Sequence, residues 1–184
     1  LALMEHPHIA KVFDAGTTKD GLMSGIASFT AEALKFGTTN YSKSQIDSIF
    51  NYYGSDLITY SSLDYAGLNA TIMKDNFDVL FPVLKEVMVN PTFPESELEK
   101  RKQRWIVELD QAKESPRSVI GSYYNKFLFG NAEYGNPVDG TKKSIESISN
   151  EQLKNFFNTH YRPEKLAIAI VGDFDKALMK TKID

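Results

Sequence analysis

The chain contains no cysteine, which excludes disulfides and thiolate metal sites while leaving the redox compartment undecided. Histidine is scarce as well, with only His6, His8 and His160. No apolar run approaches the 18 or so residues of a membrane span. Charge of neither sign dominates: 21 Lys and Arg face 24 Asp and Glu, a net charge of −3. That balance provides no basic face for nucleic acid and no polybasic patch for a membrane. The chain opens on Leu1 without a signal peptide, so it reads as a fragment or trimmed chain. Its localisation stays unknown, with periplasm and cytoplasm both open.

What is present suffices for a real core. Hydrophobic residues make up 42% and charged residues 24% of 184 positions, the balance of one ordinary domain with at most a small extension. Residues 9–15 alternate weakly and read as a short strand. Residues 24–36 read as a helix stopped by Gly37, and Ser42 to Gln45 as a capping box before a helix at 44–53, stopped by Gly54. Segments 56–63 and 65–73 alternate and suggest a hairpin turning near Asp64. Helical spacing follows at 76–89, with Phe77, Leu80, Phe81, Leu84, Val87 and Met88 on one face. Pro94 suits the first turn of a long helix at 95–113, which Ser115-Pro116 breaks before another at 117–129. A Gly/Asn/Pro loop over 130–141, a Ser149-capped final helix to His160 and a strand at 166–171 complete the order. The expected class is α+β, a partly antiparallel sheet with helices packed on one face.

The segment 24–38, SGIASFTAEALKFGT, carries the most functional information. A hydrolytic zinc site wants about three protein ligands and a water. Two His four apart on a helix supply two of those ligands, and a Glu one residue before the second His can act as general base. In this segment Gly25, Ile26, Ala27, Phe29, Gly37 and Thr38 resemble the frame of the zinc helix in the pitrilysin/insulinase family, whose inverted motif is His-x-x-Glu-His. The resemblance puts Ser28 on the first His, Ala31 on the catalytic Glu and Glu32 on the second His. The family's third ligand is a Glu 76 positions further on, which here falls on Glu108. The spacing persists while the ligand chemistry is mostly gone. One hydroxyl and two carboxylates make a poor zinc site, better suited to a harder cation. The plainer reading makes Glu32 and Glu108 solvated carboxylates on helix faces.

Three further blocks resemble the same family in the same order: NPTFPESELEKRK, FLFGNAEYGNPVDGTKKSIESIS and HYRPEKLAIAIVGDF. The resemblance covers roughly residues 22–175, which it implies form one metallopeptidase-like domain, with 176–184 a truncated extension. Residues 1–21 depart from it; LALMEHPHIAKVFDAGTTKDG also resembles the segment after helix C of bacterial Ser/Thr kinases, a strand or foreign fusion. A Gly-rich phosphate loop, H-R-D and D-F-G are all missing, which excludes kinase activity.

The resemblance implies a non-catalytic domain that helps form a peptide-binding chamber with a homologous, zinc-bearing domain or subunit. No cofactor is expected in this chain itself, zinc belonging to the partner. An active metalloendopeptidase using an atypical metal site and a purely structural subunit are the alternatives. Tyr123, Tyr124, Phe127 and Tyr134 are candidates to line a peptide groove, against the plainer reading as core. His6 and His8 form a weak candidate metal pair, and His160 suits a helix C-terminus. Residues 95–104 read as a solvated face with a Glu97–Arg101 pair, and Trp105 as buried with Leu98, Ile106 and Leu109.

Overall fold

A computed structural model of the chain describes residues 11–13 and 23–183. His6 and His8 lie outside the described residues. A four-stranded sheet, ordered β2-β3-β1-β4, is formed by β1 (Lys11–Phe13), β2 (Asp56–Ser61), β3 (Tyr65–Thr71) and β4 (Leu166–Ala167). Every pairing among these strands is antiparallel, so the expected α+β class holds and the sheet is more regular than the partly antiparallel one expected. The β2–β3 hairpin runs from Asp56↔Thr71 to Ser61↔Ala66. Ser62 makes its turn: the hydroxyl accepts from the amides of Asp64 (3.3 Å) and Tyr65 (3.2 Å), a side-chain substitute for a backbone turn. Among the described residues, β4 pairs with β1 through Leu166 and Ala167.

α1 (Ile26–Ala33) lies against the hairpin and buries seven of its eight residues, all but Glu32. Ala66, Leu68 and Ala70 of β3 are buried, and small side chains at two of those positions let the helix approach closely. A helix buried nearly all round is a core helix, and a 3₁₀ turn, Leu34–Phe36, carries it to Gly37. α2 (Lys43–Tyr52) starts on the expected Ser42–Gln45 capping box, with both reciprocal bonds formed. α3 (Phe77–Val89) buries Leu80, Val83, Leu84 and Val87. α4 (Glu95–Ala112) and α5 (Pro116–Phe129) follow, then the short α6 (Lys142–Ser147), α7 (Asn150–His160) and α8 (Lys176–Ile183). The sequence reading missed α6, whose Thr141 cap accepts from the Ser144 amide at 3.1 Å. His160 ends α7, where its ring lies 4.3 Å from Phe156.

Just past α7, the Tyr161 hydroxyl is buried with no hydrogen-bond partner among the described residues. Burial pushes its pKa well above the ordinary 10.0. The proton is therefore held more tightly in the folded chain than in the unfolded one. Stability from this group is complete below about pH 10 and is lost as pH rises beyond it. Tyr161→Phe should be as stable as the parent at neutral pH, or more stable by about 1 kcal/mol, since it removes an unpaired buried polar group. Urea melts at about pH 8 and about pH 10.5 should show a smaller alkaline loss in the variant. Equal losses would place the hydroxyl in contact with water.

Candidate functional site

α1 and α4 cross so that Phe29 meets Trp105 edge to face, with centroids 5.3 Å apart. Phe29 is fully buried and Trp105 nearly so, as are Leu98 and Ile106. Leu109 is half-buried, so the expected stripe on α4 is the observed one. This contact fixes the rotation of both helices and turns Glu32 of α1 and Glu108 of α4 toward each other.

Between the two carboxylates sits Arg101. Its Nε donates to Glu32 Oε1 at 2.6 Å. Its two terminal nitrogens donate to Glu108 Oε1 at 3.0 Å and Oε2 at 2.9 Å, a two-pronged pairing. The guanidinium lies 4.6 Å from the centre of the Trp105 ring. The Arg101 side chain is 17% exposed, Glu32 25% and Glu108 57%. Desolvation on its own would lower the Arg101 pKa; the bonds to Glu32 and Glu108 outweigh it, so the charge is held more firmly than usual. The expected Glu97–Arg101 pair does not form; Glu97 pairs with Lys100 at 2.7 Å. Nor are Glu32 and Glu108 merely solvated, because they converge on one cation.

The other two motif positions are equally committed. Ala31 is buried in the core, where its methyl has neither acid nor base chemistry to offer. Ser28 is buried, and its hydroxyl donates to the Val138 carbonyl at 3.0 Å. That bond is one of three to consecutive carbonyls of one loop. Ser24 Oγ donates to Pro137 O at 2.6 Å, and Trp105 Nε1 to Asp139 O at 3.1 Å. The loop is thereby fastened to the start of α1 and to the middle of α4. Desolvation, with the charge of Glu108 adding to it, raises the Asp139 carboxyl above the usual range. Glu32, Arg101 and Glu108 form part of the wall of a cleft of about 770 Å³, together with Lys35, Asp47 and Arg104.

The aromatic candidates lie elsewhere. Tyr123, Tyr124 and Phe127 are on α5, which has no buried residue, so the plainer reading of them as core does not hold. Phe127 is 86% exposed and Tyr123 72%. Tyr134 packs on Phe129 at 5.6 Å and its hydroxyl bonds to Asp64.

Residues 8–142 match the family model described as insulinase, peptidase family M16. The chain belongs to this family. Residues 147–183 match a second model, described as the peptidase M16 inactive domain. The uncharacterized zinc protease YmxG of Bacillus subtilis is 23% identical over 158 residues, 86% of this chain and 39% of that protein. Subunit 1 of the bovine mitochondrial cytochrome b-c1 complex is 21% identical over 163 residues, 88% of this chain and 34% of that one. Among solved structures, a peptidase M16 inactive domain from Pseudomonas fluorescens superposes with a TM-score of 0.86 at 26% identity. It covers 98% of this chain and 44% of its own. The periplasmic protease PqqL of Escherichia coli shares the fold, with a TM-score of 0.83 at 18% identity over 96% of this chain and 20% of its own. This M16 chain thus spans well under half the length of the relatives it matches.

The residues at its zinc-helix positions do not fit a catalytic zinc. Such a site needs ligands free to bind and a base free to take a proton. Here the hydroxyl of Ser28 is bonded to a carbonyl, both carboxylates are bonded to a guanidinium, and the base position is a methyl.

Proposed function

We propose that this M16 chain is a non-catalytic domain that encloses peptide together with a homologous zinc-bearing domain or subunit. The observation that carries the reading is the fate of the four motif positions, each fastened into the fold rather than left open. A domain with no base and no open metal position can still shape a chamber, and the exposed aromatic face of α5 supplies apolar wall. Tyr123, Tyr124, Phe127 and Tyr134 are the residues proposed to touch peptide there. Aromatic side chains bind extended peptide at low entropic cost, having few rotamers to freeze. A purely structural role is the second reading, favoured by the relative whose name places it in the cytochrome b-c1 complex.

The test uses a fluorescently labelled, unstructured peptide. The chain alone should leave it uncut with zinc present, yet bind it in anisotropy titrations. Tyr123→Ser with Phe127→Ser should weaken that binding by about tenfold, equivalent to about 1.4 kcal/mol. Adding a zinc-bearing M16 homologue should produce cleavage that a chelator stops. Chelator-sensitive cleavage by the purified chain alone would overturn the proposal, and an absence of peptide binding would favour the structural reading.

A further inference from the structure

We infer that Arg101 is a built-in cation standing in the place of a metal ion: its guanidinium ties α1 to α4 through Glu32 and Glu108 and closes this pocket to divalent cations. The charge pattern requires a cation of some kind. Two carboxylates on different helices converge within one guanidinium's width, with Nε 2.6 Å from Glu32 and the terminal nitrogens 2.9 and 3.0 Å from Glu108. Left alone, two carboxylates so placed would repel each other in a site partly shielded from water. A divalent ion would bridge them through single oxygens at about 2.0–2.6 Å. A guanidinium bridges them at hydrogen-bond distance, in the planar fork that suits one carboxylate end-on and the other side-on.

The group is also held from below. The Trp105 ring lies under it at 4.6 Å, and Trp105 is itself fixed by its bond to the Asp139 carbonyl at 3.1 Å. A metal ion would have to displace a firmly charged group from three hydrogen bonds and an aromatic face. Both cations cannot share the site, because two positive charges at contact distance in a half-buried pocket repel strongly. The consequence is a cross-link between α1 and α4 that is independent of metal supply. It would hold whatever the chamber encloses, since it rests on these contacts and not on peptide binding.

Arg101→Met tests the idea, because Met keeps an unbranched apolar stem over Trp105 and removes the charge. Metal content and thermal melts are read on the full chain, with Mn²⁺, Ca²⁺ and Zn²⁺ as probes. The variant should melt about 5 °C lower in chelator. It should take up about one divalent cation per chain and regain several degrees at millimolar Mn²⁺ or Ca²⁺. Adding Glu108→Gln should abolish that uptake. The parent chain should take up none and melt alike with chelator or cation. A folded Arg101→Met chain that binds no cation would overturn the inference. If the variant does not fold, the parent decides: one cation bound per folded parent chain overturns the inference, and indifference of its melting to cation and chelator upholds it. Neither readout involves peptide, so failure here is distinct from failure of the chamber proposal.

Discussion

Trp105→Ala should destabilise the chain by about 3–5 kcal/mol, a large share of what a domain of this size has to lose. Three separate contacts go with the ring. The edge-to-face packing on Phe29 at 5.3 Å is lost, and Phe29 itself is fully buried, so a cavity opens between α1 and α4. The Asp139 carbonyl loses its donor at 3.1 Å, and the Arg101 guanidinium loses the surface 4.6 Å beneath it. Glu108→Ala should cost far less, about 0.5–1 kcal/mol, because Glu108 is more than half exposed and Arg101 keeps its bond to Glu32. Urea denaturation of the two variants side by side checks the order. A mild Trp105→Ala beside a severe Glu108→Ala would mean that the ion pairs, and not the ring, hold the two helices together.

Much of this arrangement could be read in advance, and the reasons are specific. The Ser42 and Ser149 capping boxes were legible because their partners lie three residues away and need nothing from the rest of the fold. The stripe of Leu98, Trp105 and Leu109 was legible because helical spacing alone puts those positions on one face. Arg101 was not. Local spacing offers Glu97 as its partner, one turn away. Its actual partners are Glu32, on a helix 69 residues distant, and Glu108, two turns along α4. An Arg two turns before a Glu on one helix face is a signal the sequence does hold, but the choice between the two acids depends on Glu32, and so on the packing of α1 against α4. The exposure of Tyr123, Tyr124 and Phe127 was equally hidden. Aromatic residues at helical spacing usually mark a core, whereas among the described elements α5 packs mainly on the turn Glu133–Gly135. The overlooked α6 has a similar origin, since a six-residue helix carries too few positions to show a period.

Gly140→Ala should be nearly as damaging as loss of the tryptophan, at about 2–5 kcal/mol, although it adds a single methyl. Gly140 has φ of +78°, where any other residue pays about 1–2 kcal/mol. The added carbon would also lie 2.5 Å from the Ser24 carbonyl oxygen and 3.1 Å from Gly25 Cα. Neither is the end of a movable side chain, so the backbone must separate, at a further cost of about 1–3 kcal/mol. Gly25 faces it with the same constraint: a side chain there would lie 2.9 Å from Gly140 Cα. The two glycines are what allow the loop to sit against the start of α1. Pushing it away strains three bonds together, those of Ser24, Ser28 and Trp105 to the carbonyls of Pro137, Val138 and Asp139. Gly54→Ala is the matched control. Gly54 has φ of +59° with nothing within 4 Å of the added carbon, so it should pay only the conformational cost of about 1–2 kcal/mol. Trp105 is the only tryptophan, so its fluorescence reports on the loop directly. In native buffer the emission of Gly140→Ala should shift to the red as Trp105 loses its carbonyl partner and gains water, while that of Gly54→Ala should match the parent. If Gly140→Ala melts where Gly54→Ala does and emits like the parent, the loop is not seated on α1 through these glycines.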